Sequence, residues 1–207
     1  MRVLLIEDNP GDAKLVRAFL RRELRGGCQF EHTDTLKQGL ERLLRGGIDV
    51  ALIDLDLPDS HGASTVQTVR AEADGVPIVV LTGFDEEEAA IEAVRKGAQD
   101  YLVKGKTDAA LLVRTLQFAI ERAAHQAQRR EVAEEANATA ARIASLTDRE
   151  REILDLIVAG QPLKQIASGL GTSYNTVKNQ RASILQKMQV RSETELVRVT
   201  LMCRFGR

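Results

Sequence analysis

Five polar side chains in the first half of the sequence each stand at the end of a short apolar run. They are Glu7, Asp8, Asp54, Thr82 and Lys104. Short apolar runs that end at turn residues are typical of buried strands in a parallel sheet, where ligands bind outside the carboxyl ends of the strands. We therefore expect the five side chains to converge. Three carboxylates, a hydroxyl and an ammonium suit a divalent cation and an aspartate that accepts a phosphoryl group.

The elements that must position these residues alternate along the chain. Five predicted strands separated by predicted helices favour a doubly wound parallel α/β sheet. The predicted strands are Arg2–Ile6, Gln29–Thr33, Asp49–Ile53, Pro77–Leu81 and Asp100–Val103. The predicted helices are Pro10 to about Arg25, Leu36–Arg45, one that ends before Gly75, Asp85–Lys96 and one that begins at Thr107 or Asp108. Residues 56–62 are predicted to form a loop.

The stretch from Asp108 to Ser145 is rich in alanine, glutamate, arginine and glutamine, which favour helix. It predicts one long helix that leaves the first domain. A spacing of three and four residues joins five positions of its second half: Val132, Ala136, Thr139, Ile143 and Leu146. The same register meets charged residues and a histidine upstream, so the heptad pattern is poor. Two interpretations stay open: a dimerising signalling helix, or a segment without that role that is either a solvated helix or a partly frayed linker.

Composition limits the classes of protein that this chain can represent. Its 207 residues suffice for two small domains, and no apolar run approaches the ~20 residues of a membrane span. The N-terminus has only four consecutive apolar residues, so we expect no signal peptide. Cys28 and Cys203 show no metal or redox spacing, which favours a reduced, cytoplasmic protein. The three histidines, His32, His61 and His125, are scattered and are interpreted as structural or surface residues.

The net charge of −1 hides an asymmetry between the two ends of the chain. Residues 1–122 carry 16 lysines and arginines against 21 aspartates and glutamates, whereas residues 146–207 carry 10 against 6. An acidic front and a basic tail suggest two functions, the second compatible with nucleic acid.

The basic tail contains capping residues at intervals that predict a series of short helices. Thr147–Glu150 and Ser192–Glu195 are predicted capping boxes, and Ser173 is a predicted N-cap. Pro162 is predicted to open the second of four helices. The sequence thus predicts a small all-α domain after the long helix.

Residues 1 to about 122 resemble a response-regulator receiver domain, which has a flavodoxin-like (βα)5 fold. The resemblance depends on five motifs in order: Glu7-Asp8, Asp54-Leu-Asp-Leu-Pro58, Gly62, Pro77–Gly83 and Gly97–Lys104. It implies that Asp54 is the nucleophile that attacks a phosphohistidine of a partner sensor histidine kinase. It also implies that Lys104 and Thr82 contact phosphoryl oxygens and that Tyr101 is a switch aromatic.

The same resemblance implies a Mg²⁺ site. Asp8 and Asp54 would bind the ion directly, Glu7 through water, and Asp56 through its backbone carbonyl. One position departs from the family, since Gly105 stands where a proline joined by a cis peptide usually follows the lysine. We therefore expect a different and looser path for this loop.

Residues 146 to about 203 resemble the four-helix LuxR/FixJ-type helix-turn-helix domain. The motifs that carry this resemblance include Leu146–Glu150, Lys164–Ala167, Leu170–Ser173, Thr176–Lys178, Lys187-Met188 and Val190–Ser192. The resemblance implies that the fourth helix dimerises the domain on a two-fold DNA site.

The third helix of this tail is the predicted recognition helix. Its apolar positions fall on one face, and Asn175, Lys178, Asn179 and Ala182 fall on another. Lys178 and Asn179 can contact guanine and adenine edges in the major groove. We predict phosphate contacts for Thr176, Arg181 and Lys187.

These features together predict a two-component response regulator with three parts: a receiver at 1–122, a helical linker at 123–145 and a DNA-binding domain at 146–207. Its expected partners are a sensor histidine kinase, double-stranded DNA and a second copy of the chain, with Mg²⁺ as cofactor. The alternatives are an RNA-binding antiterminator and a receiver that acts through protein contacts without phosphate. An output enzyme is disfavoured because the tail has no glycine-rich phosphate loop or metal cluster.

Overall fold

The computed structural model describes residues 1–25, 27–83 and 87–205. The chain divides into two compact units, residues 1–127 and 128–207. The division falls inside one helix, α5, which runs from Ala109 to Ala144. The single long helix predicted over this stretch is therefore confirmed.

The first unit contains a five-stranded parallel sheet, whose strands are β1 (Arg2–Ile6), β2 (Gln29–Thr33), β3 (Val50–Asp54), β6 (Ile78–Thr82) and β7 (Asp100–Val103). Their order in the sheet is β2-β1-β3-β6-β7. Strands β1, β3 and β6 are almost wholly buried because helices cover both faces of the sheet. The predicted doubly wound α/β fold is confirmed.

Two apolar clusters, one on each face, hold the helices against this sheet. One face is covered by α2, α3 and α4, and the other by α1 and the first part of α5. The first four helices are α1 (Pro10–Leu24), α2 (Leu36–Leu44), α3 (Ser64–Glu72) and α4 (Glu87–Arg95). The predicted start of α4 at Asp85 lies outside the described residues.

The structure differs from the sequence prediction in two details near Asp54. Strands β3 and β6 each extend one residue further than predicted, so that Asp54 and Thr82 are the last residues of their strands. Residues 56–62 also contain a small antiparallel pair, β4 (Asp56–Leu57) and β5 (Ser60–His61), where a loop was predicted. A backbone hydrogen bond from Gly62 N–H to the carbonyl of Leu55 closes this turn at 2.7 Å.

The second unit packs four short helices around one apolar core. They are α6 (Asp148–Val158), α7 (Leu163–Gly169), α8 (Tyr174–Lys187) and α9 (Glu193–Phe205). Fully buried residues from each helix meet in this core, including Ile153, Ile166, Ile184 and Leu196. The predicted four-helix arrangement is confirmed.

The helix starts in this unit follow the predicted capping residues. Thr147 and Glu150 form the complete capping box, and Ser173 Oγ accepts the N–H of Thr176 at 3.1 Å. The box predicted at Ser192 is half formed. Ser192 Oγ accepts the N–H of Glu195, but the Glu195 carboxylate accepts from the N–H of Arg191 rather than from the cap residue itself.

The positions that share the predicted spacing of three and four residues, in the second half of α5 and just after it, pack mainly inside the second unit. Thr139 and Leu146 are buried, and Ile143 packs against the core of this unit. Ala136 is half-buried and its carbonyl accepts a long contact from Cys203 Sγ at 3.6 Å, whereas Val132 is exposed. Most of the surface that a dimer seam along α5 would need is therefore covered by the chain's own C-terminal helices.

Candidate functional site

An acidic cluster lies at the carboxyl ends of β1 and β3. Glu7 directly follows β1 and is fully buried, and Asp54 ends the neighbouring strand β3 and is 4% exposed. One carboxylate oxygen from each of Glu7, Asp8 and Asp54 lies within 4.8 Å of the others. The adjacent β1 and β3 strands are parallel and in register, which places the three carboxylates at one edge of the sheet.

The ammonium group of Lys104 neutralises part of this negative charge. Its Nζ lies 2.7 Å from Glu7 Oε2, 2.7 Å from Asp54 Oδ2 and 3.1 Å from Asp12 Oδ2. Lys104 follows β7, at the edge of the sheet, and its backbone N–H donates to the carbonyl of Thr82 at 2.9 Å. The long lysine side chain therefore reaches across from this edge strand to the centre of the cluster.

The pKa values of Glu7 and Lys104 are both raised, for different reasons. Burial raises the pKa of Glu7 to about 7, and the nearby Asp54 carboxylate adds to this effect, while Lys104 opposes it. Burial also disfavours the charged form of Lys104, but hydrogen bonds to Asp54 and Glu7 outweigh it and hold the lysine pKa above its ordinary value. A positive charge is thus secured beside Asp54 at neutral pH.

The donor set of this cluster fits a hard divalent cation. All the available side-chain donors from Glu7, Asp8 and Asp54 are oxygens, which Mg²⁺ prefers, and Asp8 is exposed, so the site is open to solvent on that side. Asp12 adds a fourth carboxylate from the first turn of α1. More negative charge is gathered here than one lysine can neutralise.

The other residues predicted for this site lie around the cluster. Thr82 is fully buried at the end of β6, with its hydroxyl 3.4 Å from the carbonyl of Gly83. Tyr101 is half-buried on β7 and packs against the core on the α2–α4 face. The Asp56 side chain is not among the three clustered carboxylates and is 2.8 Å from His61 Nδ1, both groups being largely exposed.

Gly105 adopts a backbone conformation that proline cannot reach. Its φ is +78°, in the left-handed region, whereas a proline ring fixes φ near −65°. The backbone after Lys104 therefore follows a path that differs from one set by proline, as predicted. The next residue but one, Thr107, closes the turn by donating its hydroxyl to the Val103 carbonyl at 2.8 Å.

The loop after Asp54 is fastened to α2 through Asp59. Its carboxylate accepts the N–H groups of Leu36 at 2.8 Å and Lys37 at 2.9 Å, at the N-terminus of that helix. Burial raises the pKa of this carboxylate, but these backbone hydrogen bonds outweigh it and hold the pKa below its ordinary value. Asp59 thus caps a helix that lies more than 20 residues earlier in the chain.

In the second unit, the predicted recognition helix presents the expected surface. Helix α8 buries Val177 and Ile184 in the core, and Asn175, Lys178 and Asn179 are exposed. Thr176 is also exposed, close to the N-terminal cap Ser173, with the two hydroxyls 2.8 Å apart. The first turns of α8 therefore offer amide, hydroxyl and ammonium groups to a ligand.

Two other cations predicted on α8 are held by acidic side chains of neighbouring helices. Arg181 Nε donates to Glu193 of α9 at 2.7 Å. Lys187 Nζ donates to the nearly buried Glu150 of α6 at 2.7 Å, and Ser183 Oγ donates to the same carboxylate at 2.7 Å. Both cations fix α8 to the adjacent helices.

Comparison with known families decides what kind of protein carries these two units. Residues 3–117, more than half of the chain, match the model of the response regulator receiver domain. The chain is a response regulator. Its residues 144–200 match the model of bacterial regulatory proteins of the luxR family.

Named relatives of this response regulator align with about three quarters of its length. The transcriptional regulatory protein FixJ of Rhizobium meliloti is 35% identical over 158 residues, which cover 76% of this chain and 75% of that protein. The nitrate/nitrite response regulator protein NarL of Escherichia coli is 34% identical over 173 residues, covering 77% and 76% of the two chains.

Solved structures of response regulators match almost the whole chain. Full-length FixJ from B. japonicum is 27% identical, covers 98% of this chain and 97% of its own, and has a TM-score of 0.57. The response regulator StyR is 28% identical, covers 96% and 97%, and has a TM-score of 0.64.

The response regulator is therefore a two-component protein that controls transcription through a LuxR-type DNA-binding domain. The match of its tail to the luxR family decides against the RNA-binding antiterminator considered from the sequence. No helix in the described part of this response regulator is long and apolar enough to cross a membrane.

Sequence reasoning missed three residues around the sites of this response regulator. Asp12 was detectable in principle, because it lies four residues after Asp8 in the first turn of a predicted helix. Asp59 and Glu193 carry no local signal for their contacts, since their partners lie 22 to 23 and 12 residues away in sequence.

Proposed function

We propose that Asp54 is the phosphoacceptor of this response regulator and that a partner sensor histidine kinase supplies the phosphoryl group. The observation that carries the proposal is the position of Asp54 at the end of the central strand β3, with Lys104 Nζ at 2.7 Å and two further carboxylates beside it. We assign the receiver function to residues 1–122, the linker to 123–145 and DNA binding to 146–207.

In this proposal a carboxylate oxygen of Asp54 attacks the phosphorus of a phosphohistidine. An O–P bond forms, the P–N bond breaks, and the histidine nitrogen leaves with the bonding electron pair. The ammonium of Lys104, which already lies beside Asp54, then pairs with a phosphoryl oxygen. The Thr82 hydroxyl donates a hydrogen bond to another, and Tyr101 turns inward as Thr82 moves.

Mg²⁺ is the proposed cofactor, since the residues of the acidic cluster suit it. Asp8, Asp54 and the backbone carbonyl of Asp56 would hold the ion directly, and Glu7 through water. When bound, the ion supplies positive charge that offsets repulsion between the carboxylates and the incoming phosphoryl oxygens.

The phosphoacceptor is tested by labelling the full chain with a small-molecule phosphodonor and Mg²⁺. We expect Asp54→Asn to abolish the added phosphoryl mass. The matched control is Asp56→Asn, because this neighbouring carboxylate is exposed and takes part only through its backbone. Labelling that persists in Asp54→Asn would refute the assignment, and normal transcriptional control by that unlabelled variant would favour a receiver that acts without phosphate.

DNA recognition is proposed to depend on the exposed first turns of α8. Lys178 and Asn179 would contact base edges, and Thr176 a phosphate. Arg181 and Lys187 are proposed to contact phosphates as well, in exchange for or in addition to their present carboxylate partners. Substitution of Asn179 by alanine should reduce discrimination at one base pair, whereas Thr176→Val should weaken binding to all sequences alike.

A homodimer on a two-fold DNA site is proposed to form through α9. Its last turns expose Leu201, Met202 and Phe205, the last of them 77% exposed, at helical spacing. Light scattering with and without beryllofluoride and Mg²⁺ tests this assembly. We expect a rise in mass on adding the mimic, which Met202→Glu should prevent. A mass that stays monomeric with the native chain would refute phosphorylation-driven dimerisation.

A further inference from the structure

A basic groove lies on the first unit between α1 and the edge strand β2, and His32 at one end of it contacts the backbone carbonyl of Glu7. It is lined by Lys14, Arg17 and Arg21 of α1 and by Phe30 of β2, and we call these four residues the α1–β2 groove. The wider part of the groove encloses about 360 Å³. Neither the phosphoacceptor chemistry nor the DNA-binding helix uses these residues.

The three cations form a stripe along one side of α1. Each directly follows a residue that α1 buries against the sheet, namely Ala13, Val16 and Leu20, and all three side chains are exposed. Among the described residues, none of the three makes an ion pair, unlike Arg22, which lies 3.1 Å from Glu23. Unpaired cations in a row mark a surface that favours an anionic partner.

Beside this row of cations, the outer edge of strand β2 has backbone N–H and C=O groups that point away from β1. It is an edge strand that pairs only with β1. Gln29 N–H donates to the Met1 carbonyl and the Thr33 carbonyl accepts from Glu7 N–H, so these alternate residues face inward. The backbone groups of Phe30 and His32 therefore point out past the edge of the sheet, where another strand can pair with them.

The side chains of the edge strand complete the groove. The Arg17 guanidinium carbon lies 5.8 Å from the centre of the Phe30 ring, so the aromatic ring and the cation already pack together. His32 is also on this side, with its Nε2 2.7 Å from the backbone carbonyl of Glu7 and 3.5 Å from the carboxylate of Asp34, which directly follows the strand. The cations thus outnumber the acidic groups along the groove.

We propose that the α1–β2 groove binds an extended, acidic segment of a partner protein, which adds a strand to β2 and directs alternate carboxylates to the α1 cations. Alternate side chains of a strand are about 6.6 Å apart, and successive cations on α1 are about 4.5 and 6 Å apart along the helix axis. Flexible lysine and arginine side chains span this difference. Strand addition supplies affinity through the backbone, and the alternate side chains supply specificity.

A polypeptide fits these features better than a nucleic acid. The outward amides of Phe30 and His32 need a partner with a regular series of backbone donors and acceptors, which a strand provides. The surrounding unit is acidic overall, with 16 basic against 21 acidic residues in 1–122, so it repels a long polyanion beyond the groove. A short acidic segment meets only the local positive charge.

The probe for this proposal is a labelled peptide in which glutamate alternates with valine, titrated into the full chain by fluorescence anisotropy. We expect saturable binding that is lost, by about tenfold or more, in Arg17→Glu/Arg21→Glu and with a peptide that carries glutamine instead of glutamate. Arg22→Glu is the matched control, because Arg22 lies on the same helix and is paired with Glu23. It should bind as the native chain does.

Amide hydrogen exchange distinguishes strand addition from simple ion pairing. On binding, the amides of Phe30 and His32 should become protected, while the amide of Gln29, already bonded to β1, should not change. The proposal is overturned if the glutamate peptide does not bind, if the double substitution leaves binding unchanged, or if these two amides stay unprotected. Equal binding of duplex DNA at the same residues would also overturn it.

Discussion

Lys187 of α8 lies 2.7 Å from Glu150, a carboxylate that is 6% exposed and caps the N-terminus of α6 in the same unit. Glu150 also accepts hydrogen bonds from Ser183 Oγ and from the backbone and hydroxyl of Thr147. The Glu150 carboxylate therefore caps the N-terminus of α6 and also holds the last turns of α8. The position of α8 in this unit therefore depends on a carboxylate that is buried between the helices.

The stability of the second unit should fall in acid through Glu150. Hydrogen bonds from Lys187, Thr147 and Ser183 lower the pKa of Glu150 from about 4.5 to about 2. A lowered carboxyl pKa stabilises the fold above the unfolded-state value, so this contribution is complete above about pH 4.5 and is lost as the pH falls toward 2. In Glu150→Gln, the melting temperature measured by calorimetry should therefore change less with pH between about 4.5 and 2 than in the native chain.

The matched control for Glu150 is Glu152→Gln, because Glu152 lies on the same helix and makes an exposed pair with Arg149. We expect it to keep the native pH dependence. At neutral pH, Glu150→Gln should lower the free energy of unfolding by about 1–3 kcal/mol, since several charge-assisted hydrogen bonds are lost. An unchanged acid profile in Glu150→Gln would contradict the role assigned to this carboxylate.

Release of Arg181 should strengthen binding to DNA. Glu193→Gln removes the carboxylate that holds Arg181 at 2.7 Å, which frees a cation for a phosphate. The pair is partly exposed, and pairs near the surface are worth about 0.2–1 kcal/mol, so we expect an increase in affinity of up to about fivefold. Arg181→Ala should reduce the slope of log affinity against log salt by about 0.9, the value for one phosphate contact. Salt slopes measured by anisotropy check both.

Charge alone could mimic the effect of Glu193→Gln, so Glu152→Gln again serves as the control with the same change in net charge. It should leave the affinity for DNA nearly unchanged. If both substitutions strengthen binding equally, the effect belongs to net charge and Arg181 is not a phosphate contact.

Lys104 should stabilise the first unit when no divalent cation is bound. Its ammonium lies between the Glu7 and Asp54 carboxylates, which Lys104→Met would leave without that counter-ion. We expect the free energy of unfolding to fall by about 1–3 kcal/mol in a chelating buffer, and by less when Mg²⁺ is added. Lys96→Met, at an exposed lysine, is the control. A loss that Mg²⁺ does not reduce would argue against a shared site.

Restoring the family's proline at position 105 should destabilise this chain. Gly105 has a φ of +78°, which proline cannot adopt, and a Cβ there would meet no atom within 4 Å, so the cost comes from the backbone. We expect Gly105→Ala to lower the free energy of unfolding by about 1–2 kcal/mol and Gly105→Pro to lower it further. Gly169→Ala, at a helical glycine with equally open surroundings, should not destabilise. Chemical denaturation measures all three.

The sequence was sufficient to predict which site residues lie together at strand ends. It was not sufficient to predict ion pairs between helices that are distant in the chain. Asp54 and Lys104 could be placed together because buried parallel strands end at one edge of a sheet. Arg181 and Lys187 could be placed on the recognition helix, but not in their ion pairs. Their acidic partners lie 12 and 37 residues away, and only the packing of α6 and α9 brings them close.

The Asp59 cap on α2 determines when the loop after Asp54 becomes ordered. Asp59 binds the N-terminus of α2, and the β4–β5 pair closes the same segment, so contacts within the fold hold the loop that follows Asp54. Fixing a residue's backbone costs about 1–2 kcal/mol of conformational entropy. For this loop the cost arises once, when the chain folds, and does not arise again when a ligand binds at the acidic cluster.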